Sequence, residues 1–563
     1  MSDICGIFFR KGQAAREADL LPIMAHLQGS ADHRLWAEGP VAFASLANPK
    51  PQPWATGPSL LERDAGQGAL VADVRLDDLD ALHRALNLAP VPSTGLRNDA
   101  ATLLAAYETF GSDCFQRLHG DFALAIWDST RSRLTLARDG IGCRPLFVRE
   151  SDDLIAFASS AAALTACPQL ASGRDMRSLA LLNDTIQFPL IGVERTFYIG
   201  VKPLRSGTLR EVSTERVQER RFLNDPAPNA APLGADEGLE NLRAAMLLAT
   251  QDRLRGLGDV ASLLSGGLDS SCVSAYVALQ AREQGIAVRT ITTASQPSYA
   301  VDYPDETQFA RQVSGALDLP SHELIAENTG PFSAIDSALK VHGTPFIGSR
   351  HFVYSAISDY CEQQGVGAVF DGCFGELGPS FTPANFVFDS LLAGRMDEMF
   401  RFSRANAGRY GRSSVKILAS QLVRPFLPDF PTRGGGPFKQ YFQEPFLQEF
   451  AAKPRSEIPA GASTLAGRRL RARNDLARAQ RLTQVNSSRG GKALCRPYTL
   501  FPFADRRIWE ACLALPPSVW QREGYTRYPV RAIMPCVVPD QVRWRTDKKP
   551  FCPDYVLRFM QTA

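Results

Sequence analysis

The sequence predicts two domains, an α+β unit rich in antiparallel strands followed by a doubly wound parallel α/β unit with a helical C-terminal part. Three observations predict it. Short apolar runs broken by polar turn clusters recur over about the first 210 residues, the pattern of packed antiparallel sheets. A Pro-, Ala- and Asn-rich stretch, NDPAPNAAPLGA (224–235), then reads as an interdomain linker. Beyond it, strand and helix patterns alternate, which implies parallel strands with helices on both faces. The expected boundaries are 1–215 for the first domain, 216–238 for the linker and 239–563 for the second domain.

The strands of the first domain are read from CGIFF (5–9), VAFASL (41–46), GALVADVRL (68–76), FALAIWD (122–128), RLTLARD (133–139) and LIAFASS (154–160). An amphipathic helix, Asp99 to Phe110, interrupts them. In the second domain, Leu239 to Arg253 has helical periodicity and Val260 to Leu264 is a short buried strand. Ser270 to Ala281 is helical, Thr290 to Ala294 a second strand, Glu306 to Leu317 a helix and Ala368 to Phe370 a third strand. The remainder is mostly helical, interrupted by a Gly-rich loop, RGGGP (433–437).

Composition excludes several classes. The chain has 563 residues, 45% hydrophobic and 21% charged, which is ordinary for globular proteins and unlike disordered or fibrous ones. The formal charge of +3 gives no argument for a nucleic-acid or membrane partner. Eleven cysteines, none in a C-x-x-C pair, suggest neither a disulfide framework nor a zinc site. A reducing, cytoplasmic compartment is the simple expectation. The N-terminal run MSDICGIFFRKG has no basic region before its apolar part, so no signal peptide is expected. No uninterrupted apolar stretch approaches the roughly 18 residues of a membrane span.

The most informative segment is DVASLLSGGLDSSCVSAYVALQA (259–281), an apolar strand running through Ser265-Gly266-Gly267-Leu268-Asp269-Ser270 into a helix. Glycines let the backbone approach a ligand closely. The N–H groups of the loop and of the helix N-terminus would then face an anion. Ser265 and Ser270 add hydroxyl donors. Asp269 is out of place in an anion site unless a cation bridges it to phosphate, as Mg²⁺ does. No G-K-[ST] follows, so this is not a Walker A loop.

These six residues in their strand–loop–helix context resemble the pyrophosphate loop of the ATP pyrophosphatases, which split ATP into AMP and pyrophosphate and adenylate a substrate. The resemblance implies ATP across Ser265–Ser270, with Thr293 and Gly372 also against the nucleotide. A second stretch, DCFQRLHGDFALAIWDSTRSRLTLARDGIGCRPLFV (113–148), resembles the glutaminase half of asparagine synthetases. Together, in this order, they resemble the asparagine synthetase superfamily over nearly the whole chain. That implies an N-terminal αββα sandwich of the Ntn type and a C-terminal ATP-pyrophosphatase domain.

The glutaminase pattern is degenerate. Glutaminases of this family use a chain-terminal cysteine whose thiol attacks glutamine and whose α-amine acts as base. Here CGIF begins at Cys5, and removal of Met1 alone would expose Ser2. Ala72-Asp73 stand where the family has Asn-Gly, no arginine lies in Phe43–Leu46, and the RGPD segment is missing, although Asp99 is kept. The expectation is a scaffold domain without glutaminase activity, in which Cys5 is a small buried residue. The amine must then come with the substrate. β-Lactam synthetases and lasso peptide cyclases are the two branches that fit.

VDYPDETQFARQVSGALDLPSHEL (301–324) resembles the family segment beside the nucleotide. Asp305 and Glu306 open its helix, where the dipole alone is one explanation and a nucleotide role the other. GAVFDGCFGELGPSF (367–381) stands where asparagine synthetases carry SGEGADELFGG, and its Asp371-Gly372-Cys373-Phe374-Gly375-Glu376 form looks more like lasso cyclases. Departing pyrophosphate needs a cation, and a cation needs a carboxylate opposite Asp269. Asp371 and Glu376 are both candidates, so the expected metal set is Asp269, Asp371 and Glu376.

RPYTLFPFADRRIWEACLALPP (496–517) and GYTRYPVRAIMPCVVPDQVRWRTDKKPF (524–551) resemble the closing segments of the family. Arg527 stands where it often has lysine. Lys548 best matches the lysine that stabilises acyl transfer, with Lys549 as the fallback. Lys548, Glu376 and Arg527 are the expected catalytic residues. Arg468 to Arg496 holds nine Lys or Arg and one acid, Asp475, either a solvated face or a rim that attracts ATP or an acidic peptide.

The resemblance implies an ATP- and Mg²⁺-dependent ligase. It would adenylate an Asp or Glu side chain of a precursor peptide core and close a macrolactam with the N-terminal amine, as lasso cyclases do. Implied partners are that peptide, a leader peptidase and a leader-recognition element. A β-lactam synthetase-like ligase, or an asparagine synthetase using ammonia, are the alternatives. A scaffold without chemistry is a further class, against which the intact SGGLDS stands.

Overall fold

The computed structural model describes residues 3–180, 195–223, 233–297, 305–333, 351–423 and 497–562, apart from short gaps at 28–31, 48–51, 64–65, 93, 171–172, 383–385, 393, 412 and 550–551. Residues 224–232 of the linker, the 433–437 loop and the basic run 468–496 lie outside the described residues.

The first domain is two stacked six-stranded antiparallel sheets. One contains β1 (Asp3–Phe9), β2 (His33–Glu38), β3 (Val41–Leu46), β8 (Phe147–Glu150), β9 (Leu154–Ala158) and β10 (Val201–Pro203), in the order β10-β8-β9-β1-β3-β2. The other contains β4 (Leu60–Glu62), β5 (Gly68–Asp77), β6 (His119–Asp128), β7 (Arg133–Arg138), β11 (Thr208–Val212) and β12 (Val217–Arg221), in the order β12-β11-β7-β6-β5-β4. Ile4, Phe8, Phe43 and Phe157 of the first sheet pack on Val71, Ala123, Ala125 and Trp127 of the second. The Phe8 and Trp127 rings are 5.2 Å apart. The other face of the second sheet carries α1 (Asp99–Phe110), through Leu103 and Ala106. Leu20, Ile23 and Met24 cover the other face of the first sheet. This is the expected αββα sandwich.

Nearly every residue of β5 and β6 is buried, because both faces of that sheet are covered. The expected boundary at 215 falls short. Val217–Arg221 pairs antiparallel with β11, so the sheet runs through Arg221. The sequence VQERR is exposed throughout as an edge strand, and so lacks apolar alternation. Edge strand β2, HRLWAE, escaped the sequence reading for the same reason.

The second domain has a five-stranded sheet with every pairing parallel. Its strands are β13 (Val260–Leu263), β14 (Val288–Thr293), β15 (Ser321–Leu324), β16 (Ala368–Phe370) and β17 (Tyr498–Leu500), in the order β15-β14-β13-β16-β17. Helices α2 (Ala235–Leu254), α3 (Leu268–Gln284) and α6 (Arg506–Ala514) bury one face through Leu242, Met246, Cys272, Tyr276 and Ile508. Helix α5 (His351–Gln363) covers the other through Phe352, Val353 and Ile357. Helix α4 (Thr307–Ala316) follows β14, and α7 (Tyr528–Ile533) lies against α3, whose Tyr276 hydroxyl donates to the Ile533 carbonyl at 2.7 Å. The chain leaves β13 in both directions across the sheet. β13 and β16 are therefore the switch point, where sheets of this kind bind ligands beyond the carboxyl ends of the strands. Among the described residues no helix is long and apolar enough to cross a membrane.

Buried charge joins the two domains. Arg253, near the end of α2, lies 3.2 Å from Asp77 of β5 and 2.7 Å from Asp505, which caps α6. All three side chains are at most 2% exposed. Arg75 extends the chain to Asp77 and Asp121, and Arg507 reaches Asp252 at 2.8 Å. Burial alone would raise the Asp77 and Asp505 carboxyls. Arg253 overrides it at both, helped by Arg75 and Arg507, and holds them below their ordinary values. Beside this network, the Trp54 and Tyr498 rings sit 4.6 Å apart across the domains.

Replacing one member of such a network strands the others. Arg253→Met is expected to cost about 3–5 kcal/mol in denaturant unfolding. Arg401→Ala, which breaks an ion pair about 70% exposed, should stay within about 0.5 kcal/mol. Because the Asp77 and Asp505 values are depressed by folding, their stabilisation is complete above the unfolded carboxylate range, near pH 4, and is lost on acidification below it. An acid unfolding curve of Arg253→Met should accordingly be flatter than that of the unaltered protein.

Candidate active site

The carboxyl ends of β13 and β16 build the site. After β13 the chain turns through Ser265, Gly266 and Gly267 into α3, with Gly267 as its N-terminal cap residue. Gly266 adopts φ +76°, and a Cβ there would lie 2.8 Å from Phe309 Cβ and 2.9 Å from the Ala310 nitrogen. The loop holds its own shape. The Ser265 and Ser270 hydroxyls are 2.9 Å apart, the Ser265 amide donates to Ser270 Oγ at 3.1 Å, and the Gly267 amide donates to Ser265 Oγ at 3.3 Å. Leu268 is buried and anchors the start of the helix.

The turn after β16 presses on this loop. A Cβ on Gly372 would lie 2.7 Å from the Ser270 nitrogen, and one on Gly375 would lie 2.1 Å from Asp269 Oδ1. Gly372 therefore requires glycine, and a side chain at Gly375 would have to push the Asp269 carboxylate aside. Between them Phe374 is held at φ +75°, where a bulky residue is strained. Its buried ring packs edge-on against Phe501 at 5.3 Å, which offsets that strain. Asp371 is buried, and its amide donates to the Leu500 carbonyl at 3.0 Å. Its carboxylate accepts the Cys373 amide at 2.9 Å.

Asp269 is half-buried, and its carboxylate accepts a hydrogen bond from Ser380. Burial raises its carboxyl above the ordinary value, while the Ser380 hydroxyl and the nearby Arg527 and Lys548 charges oppose the rise. Among the described residues Asp269 forms no ion pair. Glu376, by contrast, is exposed and faces two cations, Lys548 Nζ at 3.5 Å and Arg527 Nη2 at 3.7 Å. Arg527 sits at φ +56° at the head of α7, and the Val530 amide of that helix donates to the Pro379 carbonyl at 3.2 Å. This bond ties Arg527 to the loop that carries Glu376.

The sequence-predicted residues therefore gather in part. Ser265 to Ser270, Asp371, Gly372 and Glu376 meet at one end of the sheet, with Arg527 and Lys548 facing Glu376. Thr293 ends β14 at the same edge, half-buried. Asp305 and Glu306 serve structure. Asp305 accepts the Ser295 and Thr307 amides at 2.8 and 3.0 Å, and Glu306 accepts the Lys549 amide at 2.8 Å. Lys549 is thus held through its backbone, and Lys548 is the lysine paired with Glu376.

The expected cation set is Asp269 with Asp371 or Glu376 as its partner. Among the described residues no three His, Cys, Asp or Glu side chains converge on one point. Magnesium does not need three, since one or two carboxylates with phosphate oxygens suffice. Asp269, which burial disfavours as an unpaired anion, fits a cation brought in with phosphate. Two contributors carried no sequence signal. Ser380 lies in an irregular GPSF stretch, and the role of Phe374 shows only in its backbone angle.

In the glutaminase-like domain the residues expected at a glutaminase site are engaged with their own surroundings. Cys5 is fully buried in β1, opposite Ala44 of β3 and Ala158 of β9, and burial drives its thiol well above the ordinary value. Asp3 and Ile4 precede it in the same strand. Asp73 lies 3.6 Å from Arg144 Nε. Asp99 accepts the Leu76 amide at 2.6 Å and Arg97 Nε at 2.8 Å, and burial raises its carboxyl to about 6 despite Arg97.

Comparison with known proteins agrees with this architecture. Residues 1–223 match the glutamine amidotransferase domain family, and residues 241–375 and 499–560 match the asparagine synthase family. An asparagine synthetase [glutamine-hydrolyzing] 3 of Bacillus subtilis is 27% identical over 38% of this chain and 33% of its own length. A putative asparagine synthetase [glutamine-hydrolyzing] of Mycobacterium bovis is 29% identical over 31% of this chain and 28% of its own. The amidase chry2 of Gibberella zeae is 26% identical over 49% of this chain and 42% of its own. The chain thus spans less than half the length of these relatives in each match.

Two substitutions separate packing from charge at the loop contact. Gly375→Ala should destabilise the protein by about 1–3 kcal/mol through overpacking against Asp269. Asp269→Asn should leave stability at pH 7 unchanged or higher. Since folding raises the Asp269 value, its charge costs stability as pH rises past the unfolded carboxylate range. The advantage of Asp269→Asn should therefore vanish below about pH 4. Thermal melts across that pH range test this, and a marked loss of stability for Asp269→Asn at pH 7 would show that a cation already compensates the carboxylate.

Proposed function

The chain belongs to the asparagine synthetase superfamily, and on that premise we propose that it is an ATP- and Mg²⁺-dependent ligase that adenylates a carboxylate and joins it to an amine carried by the same substrate. The substrate proposed is a peptide core, with an Asp or Glu side chain as acyl donor and the N-terminal amine as acceptor, as in lasso peptide cyclases. The observation that carries the self-supplied amine is Cys5. A thiol fully buried in mid-strand, with its reactivity suppressed by burial, offers no route for releasing ammonia from glutamine.

The chemistry follows from the loop. Phosphates of ATP lie against the N–H groups of Gly266 to Ser270 and the amino end of α3. A carboxylate oxygen attacks the α-phosphorus and pyrophosphate leaves. The amine then attacks the acyl carbon, and AMP leaves with the electron pair of the broken C–O bond. Asp269 and Asp371 are the residues assigned to hold Mg²⁺, which would neutralise pyrophosphate. Lys548 offsets charge on the acyl oxygen and α-phosphate. Glu376, flanked by Lys548 and Arg527, receives the proton from the attacking amine. A folded peptide that presents amine and acyl group together supplies much of the rate through proximity.

A peptide substrate also brings in partners, a leader peptidase and an element that recognises the leader. Asparagine formation from aspartate and free ammonia is the second reading, favoured by the names of the relatives.

Mass spectrometry of reactions with ATP and Mg²⁺ tests both readings. One set contains synthetic peptides with a free N-terminal amine and Asp or Glu at successive internal positions. The other contains aspartate with ammonium or with glutamine. The expected result is AMP together with loss of one water from a peptide, and Lys548→Ala should slow it by about 100-fold or more. Asparagine in the second set with no change in any peptide would contradict the cyclase reading. Asparagine made from glutamine would contradict the inactive glutaminase.

A further inference from the structure

Three separate segments meet at Arg545. Its side chain is only 5% exposed although it lies three residues from an exposed lysine, Lys548. Arg545 Nη1 donates to the Gly266 carbonyl of the phosphate loop at 3.1 Å. Nη2 pairs with Glu306 at the head of α4, itself 10% exposed. The guanidinium lies over the Phe309 ring, 3.8 Å from its centroid. Nε reaches Asp547 at 3.4 Å, and the Glu306 carboxylate also takes the Lys549 amide. Gly266 in turn rests on the first turn of α4, within 3 Å of where a Cβ would meet Phe309 and Ala310.

A guanidinium can satisfy a carbonyl, a carboxylate and an aromatic face at once, which a lysine ammonium cannot. The bonds on either side of Lys548, through Arg545 and through the Lys549 amide, converge on one carboxylate. They leave Lys548 as the outward-pointing link of a tight strap. We propose that Arg545 is a positioning residue that straps the 545–549 segment to the phosphate loop and so aims Lys548 at the reacting centre. The proposal rests on the adenylation reading for its catalytic consequence, but the strap itself does not. Arg545 touches no reacting atom; it acts through Lys548 and through the backbone of Gly266.

Acetylation of individual lysines by a water-soluble acetylating reagent, read by peptide mass spectrometry, tests the strap on the full chain without any substrate. Lys202, exposed on the first domain, is the reference. In Arg545→Gln, Lys548 is expected to react severalfold faster relative to Lys202 as it leaves Glu376. Glu306→Gln, which keeps the shape of the side chain, is expected to do the same, and Arg545→Lys to restore part of the protection. An unchanged Lys548 rate in a folded Arg545→Gln or Glu306→Gln protein would overturn the proposal. Two further readouts separate it from the functional reading. Adding ATP and Mg²⁺ should slow Lys548 acetylation in the unaltered protein. No slowing, with the Arg545→Gln effect intact, would count against the nucleotide site and leave the strap standing. Where turnover is measurable, Arg545→Gln should lower it roughly 100-fold but add little to Lys548→Gln, whereas a merely structural residue would add its full effect.

Discussion

The candidate site depends on the close contact between the loops that end β13 and β16. A Cβ at Gly372 would run into the Ser270 backbone, and one at Gly375 would have to displace the Asp269 carboxylate. Everything in the candidate site is placed relative to that contact. The strained turn at Phe374 exists because the chain must bring Gly375 against Asp269 and then send Glu376 outward. Ser380 reaches back to the Asp269 carboxylate from the same loop. The pyrophosphate-loop shape therefore depends on a second strand, and the order of strands in the sheet puts that strand next to the first.

A second layer of constraint lies between the domains. The alternating chain Asp121, Arg75, Asp77, Arg253, Asp505 crosses from β6 and β5 to α2 and α6 with almost no exposure. Such a network adds little net stability over an apolar packing, yet it is costly to break and demands one arrangement. It gives a physical reason for a glutaminase-like sandwich whose Cys5 is buried to persist. Asp77 belongs to the sandwich, while Asp505 caps the helix that follows β17. The first domain is thus tied to the second through buried charge at α2 and α6.

Much of this was legible in the sequence. Short apolar runs showed packed antiparallel sheets, the resemblance implied the αββα sandwich, and the strand–SGGLDS–helix pattern located β13, the loop and α3 to within two or three residues. The placing of the Asp371–Glu376 turn opposite the loop was legible through its resemblance to the family segment and the need for a carboxylate facing Asp269. What was hidden has a common cause. β2 and β12 are exposed edge strands, whose residues need not alternate. The carboxylates Asp305 and Glu306 look alike in sequence, but only their partners show that each is used to hold backbone or Arg545 in place. The sequence left Asp371 and Glu376 as alternative partners for Asp269, and the structure shows that Glu376 also faces Arg527 and Lys548. Spacing along the chain does not encode such competition between partners. Ser380 and Arg545 act across more than a hundred residues, and no local pattern marks them.

Attack of a substrate carboxylate on the α-phosphorus of ATP, as proposed for the second domain, is open to isotope transfer from a substrate whose carboxylate carries ¹⁸O. The expected products are AMP bearing one ¹⁸O atom and unlabelled pyrophosphate, in equal amounts with the amide. Formation of ADP, with the label in inorganic phosphate, would contradict it.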